Sequence, residues 1–214
     1  MRADLALVEA GLARSRSHAA TLIDAKRALV NGEAIRKPAQ IIMESSSLTL
    51  LPAVDYVSRA GHKLAEALDQ FGELELVGKY CLDVGASTGG FTEVLLRRGA
   101  SSVVSIDVGH DQMVAELKDN PRVTCIEGFN ARELSPETLS DAGVPKANFD
   151  LVVADLSFIS LTLVLEQILS VARDADLVLL IKPQFEVGRQ SLSANGIVND
   201  YRLRAEAIRQ VVDH

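Results

Sequence analysis

The sequence predicts an α/β protein, a parallel sheet with helices on both faces, preceded by a small α+β head. Three observations carry that expectation. From about residue 56 onward, short apolar runs alternate with stretches of helical length. Those runs are apolar almost throughout, as burial on two faces requires. The first of them, in "CLDVGASTGGF" at residues 81–91, ends in an acid and a glycine-rich turn, the kind of turn that faces a ligand at the carboxyl edge of such a sheet.

Each element has its own signal. In the head, "ADLALVEAG" places Leu5, Val8 and Leu12 at helical spacing and stops at Gly11, and Ser15 or Ser17 can cap a second helix running to about Lys26. "ALVNGEAI" reads as two short strands around Asn31-Gly32, the strongest two-residue hairpin signal. Leu48 to Leu51 supplies another strand, and a proline-marked linker near Pro52 puts the domain boundary at about residue 55. Beyond it, strands are expected at Tyr80–Val84, Val103–Ile106, Val123–Ile126, Leu151–Ala154 and Leu177–Ile181. Helices are expected at Leu64–Phe71, Phe91–Arg98, Gln112–Lys118, Leu161–Ala172 and Tyr201–Val212.

With 214 residues, 48% of them hydrophobic but only 4% aromatic, the chain can bury a sizeable core that is mostly aliphatic. Cys81 and Cys125 each sit inside a β-like run, which favours buried core positions over disulfide partners or metal ligands and fits a reducing compartment. No signal peptide opens the sequence, and no apolar run approaches the ~20 residues that span a bilayer, so a cytoplasmic protein without a membrane partner is expected. The net charge of −7 is unevenly spread. Residues 1–37 carry seven Lys/Arg and four Asp/Glu, a net +3, which leaves −10 on the other 177 residues. A basic head on an acidic body directs any contact with a polyanion to the front.

The glycine turn is informative by what it lacks. A dinucleotide fingerprint reads G-x-G-x-x-G, whereas here the glycines stand at Gly85, Gly89 and Gly90. Asp83, expected in the mouth of the site, would repel a pyrophosphate and suits a cofactor with a cationic part. S-adenosylmethionine is such a cofactor: it carries a sulfonium and an amino group and no phosphate. Asp107, ending the second strand, is placed to accept ribose hydroxyls, and Asn130, just past the third, to reach the adenine. A helix cap at Asp83, a solvated strand end at Asp107 and an ordinary tight turn at Gly89-Gly90 are the competing structural explanations.

A second constellation lies in "SRAGHKL" (58–64), "ADLSFIS" (154–160) and "IKPQFEVGR" (181–189). Asp155 and Lys182 should leave the sheet on the same edge as the glycine turn. Lysine is costly at the end of an apolar strand unless it is paired. An Asp155–Lys182 ion pair tying two strands together is the structural alternative to a catalytic role.

Taken in order, "RADLALVEAGLARSRSHAATLI", "YVSRAGHKL", "LDVGASTGGFT", "DLSFISL" and "KPQFEVGR" resemble the hemolysin A (TlyA-like) family of ribosomal-RNA 2′-O-methyltransferases over nearly the whole chain. The resemblance implies a Rossmann-like class I methyltransferase sheet of the FtsJ-like kind at residues 56–214 and an S-four-type RNA-binding domain at residues 1–55. It implies S-adenosylmethionine as cofactor, ribosomal RNA or ribosomal subunits as partner, cytidines as targets, and a Lys-Asp-Lys-Glu tetrad whose first three members match Lys63, Asp155 and Lys182. The candidate cofactor contacts are then Asp83, Gly85, Ser87, Thr88, Gly89, Phe91, Asp107, Asn130 and Asp155. The candidate RNA contacts are Arg2, Arg14, Arg16, Lys26 and Arg27, against the alternative of a solvated basic helix.

The tetrad makes chemical sense. A ribose 2′-hydroxyl is a poor nucleophile that must be held in line with the methyl donor and relieved of its proton. Lys182 is the candidate base; the ammonium of Lys63 favours a neutral amine there and can steady a developing alkoxide, while Asp155 orients the amine and opposes its deprotonation.

Two departures from the family pattern stand out. The family's fourth member, a glutamate, lies on a strand beyond the helix at Tyr201–Val212, so a carboxyl-terminally shortened sheet lacking its last strands is expected, with methyl transfer weak or absent. Lys26 and Ala28 also replace the glycine and valine common in the head, and losing that glycine would strain a left-handed turn. The rival functions are therefore an RNA- or ribosome-binding module without turnover and a hemolysin in the literal sense, for which no pore-forming stretch is present. An NAD-linked oxidoreductase is disfavoured by the glycine spacing.

Overall fold

The structure, a computed structural model, describes residues 1–43, 45–51, 56–144 and 146–214, with Arg189 by its backbone alone. The linker expected around Pro52 lies outside the described residues. The chain divides into two compact units, Met1–Asp55 and Tyr56–His214.

In the first unit, α1 (Ala3–Glu9) and α2 (Arg16–Asp24) pack beside a three-stranded antiparallel sheet of β1 (Ala28–Val30), β2 (Glu33–Ala34) and β3 (Leu48–Leu50), in the order β2-β1-β3. Ser15 caps α2 by accepting the His18 N–H. At the hairpin, Val30 pairs with Glu33, and Asn31 and Gly32 take φ 52° and 85°, both positive as a type I′ turn demands. The buried face of α1 is Ala3, Ala6 and Leu7 rather than the expected Leu5–Val8–Leu12 stripe, because the small alanines bring α1 close to its neighbours and Leu12 falls beyond the helix end. Lys26 sits at φ 54° just past α2, where its N–H reaches Ile23 O and that of Arg27 reaches Leu22 O. This is the Schellman closure in which glycine is the unstrained residue, so the expected strain is present.

The second unit is a five-stranded parallel sheet. Its chain order runs α3 (Arg59–Phe71), β4 (Tyr80–Val84), α4 (Gly90–Arg97), β5 (Ser102–Asp107), α5 (Ala115–Lys118), β6 (Val123–Glu127), α6 (Pro136–Asp141), β7 (Leu151–Ala154), α7 (Leu165–Ser170), β8 (Asp176–Leu179), α8 (Pro183–Glu186) and α9 (Tyr201–Val212). The strands lie in the order β6-β5-β4-β7-β8. Alternate strand residues feed two cores. Cys81, Val103 and Val153 pack with α3 and α4 on one face, while Leu82, Val104 and Val152 pack with α6, α7 and α9 on the other. The order reverses between β4 and β7, and ligand crevices open at such a point, beyond the carboxyl ends of the strands.

Several expected boundaries move, the first being that α3 begins at Arg59, five residues before the expected Leu64, which places Lys63 on the helix. Helix α5 is a single turn because Val114, at ψ 145°, is extended and sets its start at Ala115, while the Gln112 N–H donates to Glu127 instead. A 3₁₀ turn at Leu161–Leu163 precedes α7, and the unexpected α6 is opened by a Ser135–Thr138 capping box with Pro136 in its first turn. Strand β8 stops at Leu179, so Lys182 stands on the extended segment entering α8 instead of on a strand end.

Candidate active site

The turn after β4 brings backbone close to the loop after β7. Gly85, at φ 83°, is required there: a Cβ would lie 3.0 Å from Leu156 Cδ2 and 3.2 Å from Asp155 O. Next along the turn, the Ser87 N–H donates to Asp107 Oδ2 at 2.8 Å, and the Gly109 N–H donates to Asp107 Oδ1 at 2.7 Å. Two backbone groups thus orient Asp107 and leave a second lone pair on each oxygen for a ligand. Asp107 and Asn130 line a cavity of about 440 Å³ whose other walls include Val108, Phe129, Leu156 and Ile159. Asn130 also accepts the Arg132 N–H, which fixes its side chain at the rim.

A second cavity of about 640 Å³ shares Gly85, Ser87, Asp155 and Ser157 with the first, so the two are lobes of one cleft. Thr88 and Phe91 line this second lobe, together with Lys63, Arg59 and Lys182. Asp155 joins both lysines: Lys63 Nζ is 3.2 Å from its Oδ2, and Lys182 Nζ is 2.5 Å from its Oδ1, a direct ion pair outside hydrogen-bond angles. Lys182 Nζ also donates to Ser157 Oγ at 2.7 Å. Lys63 is delivered by α3, which approaches α4 closely because Gly90 has no side chain; a Cβ there would meet Ser58 Oγ at 2.3 Å and Gly61 N at 3.0 Å.

Two of the expected cofactor contacts stand elsewhere. Asp83 is 0% exposed and lines neither lobe, because its side chain points to the sheet face covered by α4, where Thr92 Oγ1 donates to its Oδ2 at 2.6 Å. Its Oδ1 has no hydrogen-bond partner among the described residues, and burial pushes its carboxyl up to about 7. The carboxylates that front the cleft are Asp107 and Asp155, so the argument against a pyrophosphate passes from Asp83 to them. Gly89 also lines neither lobe; its bare Cα makes room for Leu117, whose Cδ1 would lie 2.4 Å from a Cβ.

The first unit holds its arginines in different ways. Asp4, 3% exposed, accepts from both Arg2 and Arg16, and these guanidiniums hold its carboxyl well below the usual range, Arg2 most strongly. Arg27 donates to Leu51 O, while Arg14 and Lys26 project into solvent.

Among the residues of the cleft and its surround, sequence reasoning assigned no role to Arg59, Ser157 or Glu186, the last lying near Lys182 but not supported by the motif. Arg59 was findable, four residues before Lys63 and so on the same side of α3. Ser157 and Glu186 carry no signal of their own, because their partners are 25 or more residues away.

Residues 56–214 match the family model of the FtsJ-like methyltransferases, and residues 1–45 match that of the S4 domain. The chain belongs to the FtsJ-like methyltransferase family. Within it, the chain is 47% identical to the 16S/23S rRNA (cytidine-2′-O)-methyltransferase TlyA of Mycobacterium tuberculosis, over 98% of this chain and 77% of that one. It is 39% identical to hemolysin A of Brachyspira hyodysenteriae, over 100% and 88% of the respective lengths. Among solved structures, a candidate hemolysin from Streptococcus thermophilus superposes with a TM-score of 0.69 at 34% identity, covering 100% of this chain and 76% of that one. The S4-plus-FtsJ arrangement is that of the TlyA-type rRNA 2′-O-methyltransferases. Among the described residues, no helix is long and apolar enough to cross a membrane.

Proposed function

We propose that this chain methylates the ribose 2′-hydroxyl of a cytidine in ribosomal RNA, in the cytoplasm, with S-adenosylmethionine as donor. The observation that carries the reading is the Lys63–Asp155–Lys182 cluster sharing a cleft with a nucleoside-sized lobe. The donor set fits the cofactor: Asp107 has spare acceptor capacity for ribose hydroxyls, the walls beside Asn130 are apolar, and Asp155 puts a carboxylate where the lobes meet. In this reading Gly85 and Ser87 shape the passage between the lobes, and Thr88 and Phe91 form part of the wall of the second.

When bound, S-adenosylmethionine supplies a methyl group already activated on a sulfonium. The chain's own task is to align the acceptor and manage its proton. Lys182, 15% exposed and held by Asp155 and Ser157, faces the acceptor lobe; as the neutral amine, after releasing its own proton to solvent, it takes the hydroxyl proton. Lys63 faces the same oxygen and steadies its developing negative charge. Asp155 holds the two nitrogens in one frame. Residues 1–55 dock RNA in this scheme, with Arg14 and Lys26 toward phosphates and Arg2 and Arg16 set in place by Asp4. Arg59 adds positive charge to the acceptor lobe, which suits a phosphodiester chain.

The test is methyl transfer from labelled S-adenosylmethionine to isolated ribosomal subunits and naked rRNA, followed by nucleoside mass spectrometry. The expected product is 2′-O-methylcytidine. Label on a base, or none on RNA while the cofactor binds, would overturn the reading.

A further inference from the structure

We infer that Glu186 is a positioning residue for the Lys182–Asp155 pair, acting by fastening the loop after β7 to α8; the inference rests on the methyl-transfer reading above. Asp155 and Ser157 lie on the stretch between β7 and the 3₁₀ turn at Leu161–Leu163. Within it, Phe158 has φ 65° although the residue is 92% exposed, so this left-handed conformation is kept by the backbone ties at either end of the stretch. One end of the stretch is tied to the sheet, where the Asp155 N–H donates to Val84 O at 3.2 Å.

The other end is tied by Glu186. Its Oε1 accepts the Leu161 N–H at 3.0 Å, and its Oε2 accepts the Ser160 hydroxyl. Ser160 Oγ in turn accepts the Thr162 N–H at 3.2 Å, so one carboxylate closes the start of the 3₁₀ turn. Glu186 belongs to α8, the single turn that begins immediately after Lys182. Phe185 of the same turn packs on Phe158, with ring centroids 5.4 Å apart.

The result is a closed ring. At one side Lys182 grips Asp155 and Ser157; at the other Glu186 grips Ser160 and Leu161. Opening the Glu186 side frees Phe158 to relax, and Ser157 and Asp155 shift relative to the amine they orient. Glu186 lines neither lobe of the cleft, so it acts through this ring and not on the substrate.

The experiment compares Glu186→Ala, Glu186→Gln and Ser160→Ala in the whole chain. It reads methyl transfer to rRNA at saturating cofactor, S-adenosylmethionine affinity by calorimetry, and hydrogen exchange of amides 155–161. Glu186→Ala should lower kcat on the order of 100-fold, as a misplacement of about 1 Å does, with cofactor affinity within a few-fold and the Leu161 amide exchanging faster. Glu186→Gln should recover most of the rate, since its carbonyl accepts the Leu161 N–H and its amide donates to Ser160 Oγ. Ser160→Ala, which removes one of the two bonds, should show a smaller loss with the same kcat-against-affinity split, and it carries the test if Glu186→Ala fails to fold. Full turnover by Glu186→Ala, or a glutamine variant as slow as the alanine one with its amides still protected, would overturn the inference, the latter by showing that the charge itself is needed. Exchange is read without RNA, so a wild-type chain silent in methyl transfer sinks the functional reading alone. A Leu161 amide equally protected with and without Glu186 sinks this one.

Discussion

The two lobes of the cleft are built by different means. Around the nucleoside lobe the chain works with its backbone: a turn that needs Gly85, and N–H groups of Ser87 and Gly109 that aim Asp107. In the acceptor lobe the work falls to charged side chains, Lys63, Asp155 and Lys182, delivered from a helix, a loop and the entry to a short turn. A backbone-built lobe suits tight and unchanging recognition of one cofactor. A lobe made of mutually paired charges suits chemistry, because the same contacts that place an amine also govern its proton. The comparison implies that binding and turnover separate by mutation.

The largest expected effect is in the acceptor lobe. Lys182→Ala should lower kcat by roughly 10²–10⁴-fold, the usual worth of a positioned acid–base group. S-adenosylmethionine affinity by calorimetry should stay within a few-fold; an equal fall in both would erase the distinction between the lobes. Asp107→Ala is the mirror experiment. It should weaken cofactor binding about 10- to 100-fold, the range for hydrogen bonds to a charged group, with kcat at saturating cofactor little changed.

Asp83 sharpens the contrast from below the turn. Its carboxyl is held up to about 7 in the folded chain, above the ~3.9 of an unfolded aspartate. The folded state therefore keeps a proton that the unfolded state has lost between those values. Stability is fully present below about pH 4, falls as pH rises to about 7, and levels off beyond. Asp83→Asn, which keeps an acceptor for Thr92, should flatten that fall, gaining about 2 kcal/mol over wild type at pH 8 relative to pH 5 in urea melts. Parallel pH curves for the two proteins would mean that Asp83 ionises freely.

The smallest effect lies outside the cleft. Lys26→Gly removes a side chain from a left-handed position and should stabilise the first unit by about 1 kcal/mol. Cofactor affinity should not move, and a change there would show that strain in the first unit is felt at the cleft.

Much of the second unit was legible because each strand signals itself: Tyr80–Val84 and Leu151–Ala154 are observed at the expected residues, as is α9. The hairpin was legible for the same reason, since Asn31-Gly32 needs only its own two backbones to turn. Asp107 was placed at the cleft through its position at a strand end. Asp83 was not, because strand alternation assigns it to a face but cannot say that α4 seals that face and Thr92 occupies its oxygen. Gly90 illustrates the same limit: it reads as part of a tight turn, yet its bare Cα is what lets α3 carry Lys63 to the cleft.

From the sequence alone came the alternation of strand and helix, the turn after β4, and the residue types of the charged cluster, since these depend on neighbours within a few positions along the chain. Tertiary structure decided which carboxylate is sealed and which faces the cleft, how two lysines converge on Asp155, and that Glu186 closes the loop beside them. The physical reason is that burial and ion pairing are set by groups brought together across 25 to 92 residues, and local periodicity carries no record of those partners.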